Sequence, residues 1–595
     1  MKKSLLFSAV LAGLMLGSCS SSDDLAGGNN PSFNKDGNGF MSVSVNLPTR
    51  SGNTSRAVND NYDDGEASEY EVKNGILALF DATGKTSEGD YKLLAAYKLD
   101  LTGTDLDTDK DNITSTHSVV TRINSITATN VYALVILNDN SILTASDGKL
   151  LQGGTTDLTG KTYNDILSLT TENTMTGTGF FMANAPVSAT PGNASAPDGK
   201  YTTLSKVDVT KIKETKSEAI NDPAVSVFVE RGVAKVSLNS LASGNTTDDN
   251  LPYEFNGWVL DNTTKSSYIV RNMGTEAGTY LKYSSEKFTT PAKYRFVGDT
   301  KLVETSNLYR TYWCVDPTYS QTFDATSHAA KFNTADVTSW LASGKYVYCH
   351  ENTFDVAHMD YSNTTRALVK VTFNDGNKFY TNNGANAILD TEDKRDDAVM
   401  SYVLGTDINI VDLKKYLSDN TTGTVTWEKK DFELTWATTP DKDGILKVTG
   451  IKLSTEGAGK LKTGSLDFTG WDAIKDQLNT NRVIRQYDNG ASYYEVRIKH
   501  FADELAPWND GESSVAPSAS EAYPGNKENN YLGRYGLVRN NWYDIDVTAI
   551  KKIGSPVVPD ITTDNTPDDN IDAYISAKIN VLSWAKRTQS TILGK

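Results

Sequence analysis

Apolar and polar residues alternate along much of this chain, most clearly near its start. In "FMSVSVNLP", Met41, Val43, Val45 and Leu47 are apolar and Ser42, Ser44 and Asn46 between them are polar. A period of two places one set on each face, which predicts a half-buried strand. Pro48-Thr49-Arg50 follows at once, then a flexible polar run with a second arginine, Arg56. A good strand therefore runs straight into an exposed place to cut. Further strand patterns are "GILALF" (75–80), "NVYALVIL" (130–137) and "GFFMANAP" (179–186). "VSVFVERGVAKVSLN" (225–239) reads as one long strand opening a second domain. "YVYCHENTF" (346–354), "TRALVKVTF" (365–373) and "NWYDIDVTAI" (541–550) continue the series, the last with Tyr543, Ile545 and Val547 on one face. Short helices are predicted at 163–170, 334–344, 407–419 and 469–479; the last three each begin near a Thr or Asp cap. The pattern predicts a mostly β chain, two β-sandwich domains in tandem with short helical insertions. A Pro/Ala/Ser/Lys-rich stretch, 187–222, is the expected boundary. It separates an N-terminal domain over 51–222 from a C-terminal domain over 223–595.

Composition narrows the function. The chain has 595 residues, a net charge of −17 and 38% apolar residues. That field repels nucleic acid and anionic membrane. Catalytic patterns are missing. Asp105, Asp107 and Asp109 alternate as in a calcium loop, but Lys110 and Thr116 stand where the loop needs glycine and a bidentate glutamate. His350 and His358 are eight apart, whereas a zincin helix needs four. No metal, cofactor or catalytic residue is expected, and the chain reads as a non-enzyme. Cys314 and Cys349 form no CxxC set; in an exported protein the two are candidates for a disulfide.

The first residues argue for export. Lys2 and Lys3 precede a nearly all-apolar run from Leu5 to Leu16, too short to span a bilayer. It ends in Leu16-Gly17-Ser18-Cys19, which resembles a bacterial lipobox with Cys19 as the lipidated residue. Residues 1–19 are thus expected to be a lipoprotein signal peptide. Ser20-Ser21-Ser22-Asp23-Asp24 resembles the surface-export signal of Bacteroidetes lipoproteins, and 20–38 reads as a flexible tether. Residues 20–50 form the expected tether and removable first strand.

Several phrases together resemble the Bacteroidales fimbrilins, the shaft subunits of type V pili, with the minor-fimbrium type nearest. They are the lipobox, the strand ending at Arg50, "VFVERGVAKVSLN" (227–239), "YVYCHENT" (346–353) with "NTTRALVKVTF" (363–373), "YGLVRNNWYDIDVTAI" (535–550) and "AKINVLSWAKRTQ" (577–589). The resemblance implies two transthyretin-like sandwiches. It implies a precursor held on the outer membrane by its lipid, and a cut after Arg50, or alternatively Arg56, by an arginine-specific surface protease. It then implies a cell-surface fimbrium in which the C-terminal strand of one subunit fills the gap left by the pro-strand of the next. The partners implied are other copies of the chain and related fimbrial subunits. No cofactor is implied.

The C-terminal end is then the donor. Ile579, Val581, Leu582 and Trp584 lie in an alternating run, and Ile592 and Leu593 are the apolar residues further on. Two registers stay open. Either Ile579–Trp584 is exchanged, or it belongs to the subunit's own sandwich and 585–595 is exchanged. The alternative from another class is a non-polymerising surface lipoprotein, a fimbrial anchor or a glycan-binding module using some of its 9 tryptophans and 29 tyrosines.

Overall fold

The computed structural model describes residues 31–46, 69, 71–99, 116–138, 142–172, 179–189, 200–240, 242–274, 296–302, 307–383, 387–404, 410–501, 531–568, 575–583 and 585–586. Most regular structure is strand. The first sheet contains β1 (Asn38–Asn46), β2 (Gly75–Asp81), β3 (Lys92–Lys98), β4 (Thr116–Asn124), β5 (Val131–Leu137), β6 (Met182–Asn184) and β7 (Val225–Arg231). Its order is β3-β2-β5-β6-β7-β1-β4.

The sheet folds over on itself at β7. Val225 to Phe228 pair with β1, and Val229 to Arg231 pair with β6. Met41, Val43 and Val45 on one layer therefore share a core with Leu77, Leu79, Ala133 and Val135 on the other. The other faces of β2 and β5 are buried as well. Ile76, Ala78, Phe80, Leu134 and Ile136 pack against Tyr163 and Ile166 of α1 (Tyr163–Leu167). Burial on both faces explains why "GILALF" and "NVYALVIL" are continuous apolar runs rather than alternating ones. Thr162 caps α1, and its side chain accepts from the Asp165 N–H. A second short helix, α2 (Lys216–Ala219), is capped by Thr215 and packs against β1 and β4.

The expected long strand over 225–239 is two strands. Gly232-Val233 separates β7 from β8 (Ala234–Asn239), which belongs to a different sheet. A Cβ on Gly232 would lie 1.9 Å from the Phe181 ring, so only glycine lets the backbone pass. The chain thus crosses from the first sandwich to the second at 232–233, ten residues beyond the boundary expected from composition.

The second sandwich closes on one core. One layer has β8 between β11 (Tyr346–Cys349) and β14 (Asn541–Ile550), then β15 (Ile575–Ser583) and β16 (Ala585–Lys586). The other has β9 (Ser243–Asn245), β10 (Pro252–Asp261), β12 (Arg366–Phe373) and β13 (Ala491–Arg497). Val236 and Leu238 of β8, Tyr543, Ile545 and Val547 of β14, Val369 and Val371 of β12, and Val496 of β13 meet in that core.

Between β12 and β13, which are neighbours in the sheet, the chain makes an excursion with its own core. It carries α3 (Glu392–Leu404), α4 (Val411–Asp419) and α5 (Trp471–Asn481). The helices expected at 407–419 and 469–479 are α4 and α5. The one expected at 334–344 is not a helix: Leu341 bridges Trp258 of β10 instead. Paired backbone groups on a neighbouring strand displaced the weak helical pattern.

Cys314 and Cys349 are both buried free thiols. Among the described residues no group of His, Cys, Asp and Glu is arranged to hold a metal, and no helix is long and apolar enough to cross a membrane. Asp105, Asp107 and Asp109 lie outside the described residues.

One half-buried carboxyl is expected to make the fold pH-sensitive. Glu88 accepts from the peptide N–H groups of Thr203 and Leu204, at 3.0 Å and 2.6 Å. Loss of water raises its pKa to about 7, against the pull of those two donors. In the unfolded chain it ionises first, so stability falls as pH rises from the ordinary carboxyl range toward 7. Glu88→Gln keeps an acceptor for both N–H groups and removes the titration. Its urea midpoint is expected to fall less than the wild type's between about pH 5 and about pH 8. An equal fall in both would refute this.

Candidate functional site

β1 is an interior strand, hydrogen-bonded on both edges. It runs antiparallel to β4 from Asn38↔Asn124 to Asn46↔Thr116, and parallel to β7 from Val43↔Val225 to Asn46↔Phe228. Upstream of β7 the same edge is continued by other segments. Phe40 N–H donates to the Lys213 carbonyl at 2.7 Å, and Ala224 N–H to the Ser42 carbonyl at 2.9 Å. Removing β1 would leave β4 on one side and 213–228 on the other with unpaired peptide groups.

Met41 and Val43 are fully buried and Val45 nearly so. In register they sit beside Thr121, Val119 and Val225, and Val227. The opposite face corrects the half-buried expectation. Ser42, Ser44 and Asn46 are 0%, 8% and 6% exposed. α2 packs against β1 and β4, and Asn46 Nδ2 donates to Ser226 Oγ at 2.8 Å and to the Val227 carbonyl at 3.0 Å. Polar residues stand there because they are small or bonded, not because they meet water.

Leu47, Arg50 and Arg56 lie outside the described residues, as does Cys19. The next fixed point beyond the arginines is Glu69, which pattern reading missed. Its carboxylate is 0% exposed and pairs with Lys235 Nζ of β8 at 2.9 Å. The Tyr348 hydroxyl of β11 donates to the same oxygen, and Arg231 Nε donates to the Glu69 carbonyl at 2.9 Å. Burial pushes the carboxyl up, but the bonds from Tyr348 and Lys235 and the charges of Arg231 and Lys235 outweigh it, and its pKa is lowered. Two residues on, the Glu71 carbonyl accepts from Asn138 Nδ2 at 2.6 Å. The chain at Glu69 and Glu71 is therefore bonded to both sandwiches through residues other than those of β1. A lone glutamate in a polar run carries no sequence signal of such a role.

At the other end, β15 pairs with β14 along its length. Ile545 is opposite Ile579, Tyr543 opposite Val581 and Trp542 opposite Leu582. In this structure those three residues complete the chain's own second sandwich. Trp584, Ile592 and Leu593 lie outside the described residues. The two ends are thus brought into different sheets.

Residues 518–590 match the family model described as major fimbrial subunit protein type IV, fimbrillin, C-terminal. That span contains β14, β15 and β16. No curated protein matches the chain. Among solved structures, a proposed cell adhesion protein from Parabacteroides distasonis has 10% identity and a TM-score of 0.34 over 93% of this chain and 99% of its own. One from Bacteroides eggerthii has 12% identity and a TM-score of 0.33, covering 95% and 100%. A fimbrilin from Porphyromonas gingivalis has 13% identity and a TM-score of 0.33, covering 92% and 99%. Likenesses this distant bear no weight beside the family match. Residues 518–590 are thus similar to the C-terminal region of fimbrillins.

Proposed function

We propose that this chain is a structural shaft subunit of a surface fimbria. It is exported as a lipoprotein anchored through Cys19, cut by an arginine-specific surface protease after Arg50 (or Arg56), and polymerised by exchange of a strand. The cut chain leaves its lipid behind and joins other copies head to tail. The observation that supports this most is the position of β1. The strand just before the arginines is an inner strand of the first sandwich, bonded on both edges and filling its core. Burial of the three described apolar side chains, Met41, Val43 and Val45, stabilises the precursor by roughly 4.5–9 kcal/mol before backbone bonds are counted. A gap of that depth is satisfied only by another strand, and strand addition gives affinity through the main chain and register through alternate side chains.

Brief digestion of the soluble precursor with an arginine-specific protease tests it. The expected products are a new N-terminus at Ser51 or Ala57 and a ladder of SDS-resistant multimers on an unboiled gel. A stable monomer that keeps β1 would overturn the shaft reading and leave a non-polymerising surface lipoprotein, an anchor or a glycan-binding module.

A further inference from the structure

We propose that the slot holding β1 selects its strand by the size of one residue, the one seated at Ser42. The inference rests on the strand-exchange reading above and adds a rule about which strands the slot admits. Met41 and Val43 point into the core with Thr121 and Val119, so Ser42 shares the outer face with Val120 of β4. The outer face of a sandwich normally meets water. Here Ser42 is 0% and Val120 5% exposed. α2 packs against β1 and β4, its Ala219 is itself 0% exposed, and the segment after it is bonded to β1 at this very residue through Ala224 N–H and the Ser42 carbonyl.

Ser42 Oγ has no hydrogen-bond partner. Serine is therefore not held there by a polar contact; the site asks for small volume. A leucine would put a branched side chain in a space that a hydroxymethyl fills. One position along the same face, Ser44 is 8% exposed, and both residues paired with it, Ser118 and Ser226, are exposed, so a longer side chain there has a way out to water. At the slot's entrance a second limit acts on the inner face, where a Cβ on Gly39 would lie 2.9 Å from Ile212.

The occupant this fits is a strand of a second copy reading large apolar, small, large apolar. Within the C-terminal run, Leu582-Ser583-Trp584 has that form, and 585–595 has no such triplet. The rule thus assigns Ile579–Trp584 to the slot rather than the tail beyond it. In the subunit's own structure Ile579 to Ser583 lie in β15 against β14, so that strand must leave its own sheet to be exchanged.

The test cleaves the full chain with the arginine-specific protease in the presence of synthetic peptides of residues 38–47 and reads suppression of the multimer ladder. The parent peptide and its Ser42→Ala form are expected to suppress equally. The Ser42→Leu peptide should be weaker by about tenfold or more, the effect of overpacking one side chain, and the Ser44→Leu peptide should stay close to the parent. Equal suppression by the Ser42→Leu and parent peptides would overturn the size rule alone. A ladder that no peptide suppresses, or no ladder at all, would overturn strand exchange and the rule with it.

Discussion

A precursor carrying Val43→Asp is expected to lose its hold on β1 without any cut. Val43 is fully exposed to neither water nor a charge: it is buried between Val119 of β4 and Val225 of β7. Three described apolar residues, Met41, Val43 and Val45, anchor the strand's inner face, worth together about 4.5–9 kcal/mol. The substitution removes one of these and places a carboxyl where nothing donates to it, adding about 1–3 kcal/mol even if it takes up a proton. The sum approaches the whole contribution of the inner face. Hydrogen exchange checks this directly. Amides of β4 and β7 that face β1 should exchange far faster than in the wild type, while those of β14 and β12 keep their protection. Val43→Ala should show the same pattern more weakly. Unchanged protection along β4 and β7 would mean that β1 is not held through this face.

Glu351→Ala should be the most damaging change in the second sandwich. Arg539, 1% exposed, donates through Nε and Nη2 to both oxygens of Glu351, which is 0% exposed. Nη2 also donates to the Tyr268 carbonyl at 2.6 Å, and the guanidinium lies 5.9 Å from the ring of Phe181 in the first sandwich. Removing the carboxylate leaves a buried cation without its counter-ion, a loss of about 3–5 kcal/mol. Replacing both partners by apolar residues of similar size, Glu351→Leu with Arg539→Met, should recover most of it, because the cost lies in the orphaned charge rather than in the absent bond. Urea unfolding of the two single variants and the double variant measures this. A double variant no more stable than Glu351→Ala would refute it.

Pattern reading found much of this fold because period and burial coincide in most of its strands. Tyr543, Ile545 and Val547 point inward as their spacing says, and α4 and α5 lie where helical spacing put them. It failed where a third element decides. Ser42 reads as a solvent-facing position, yet it is 0% exposed in the strand against which α2 packs. The run 225–239 reads as one long strand, yet close approach of Phe181 to Gly232 divides it between two sheets. The helical spacing at 334–344 gave way to a bridge between Leu341 and Trp258.

The candidate site divides in the same way. The sequence by itself determined that a strand with apolar residues at 41, 43, 45 and 47 is followed by arginines, because alternation and punctuation are local. Its phrases also carried the resemblance that the match over 518–590 bears out. Only the tertiary structure decided that β1 is an inner strand clasped between β4 and β7, that Glu69 fixes the chain beyond the arginines to Lys235, and that β15 lies beside β14. The physical reason is separation along the chain. Glu69 meets a partner 166 residues away, and α2, which packs against β1, lies more than 170 residues downstream of Ser42. Such contacts leave no period in the residues that make them, since what selects each residue is a neighbour brought in by the fold.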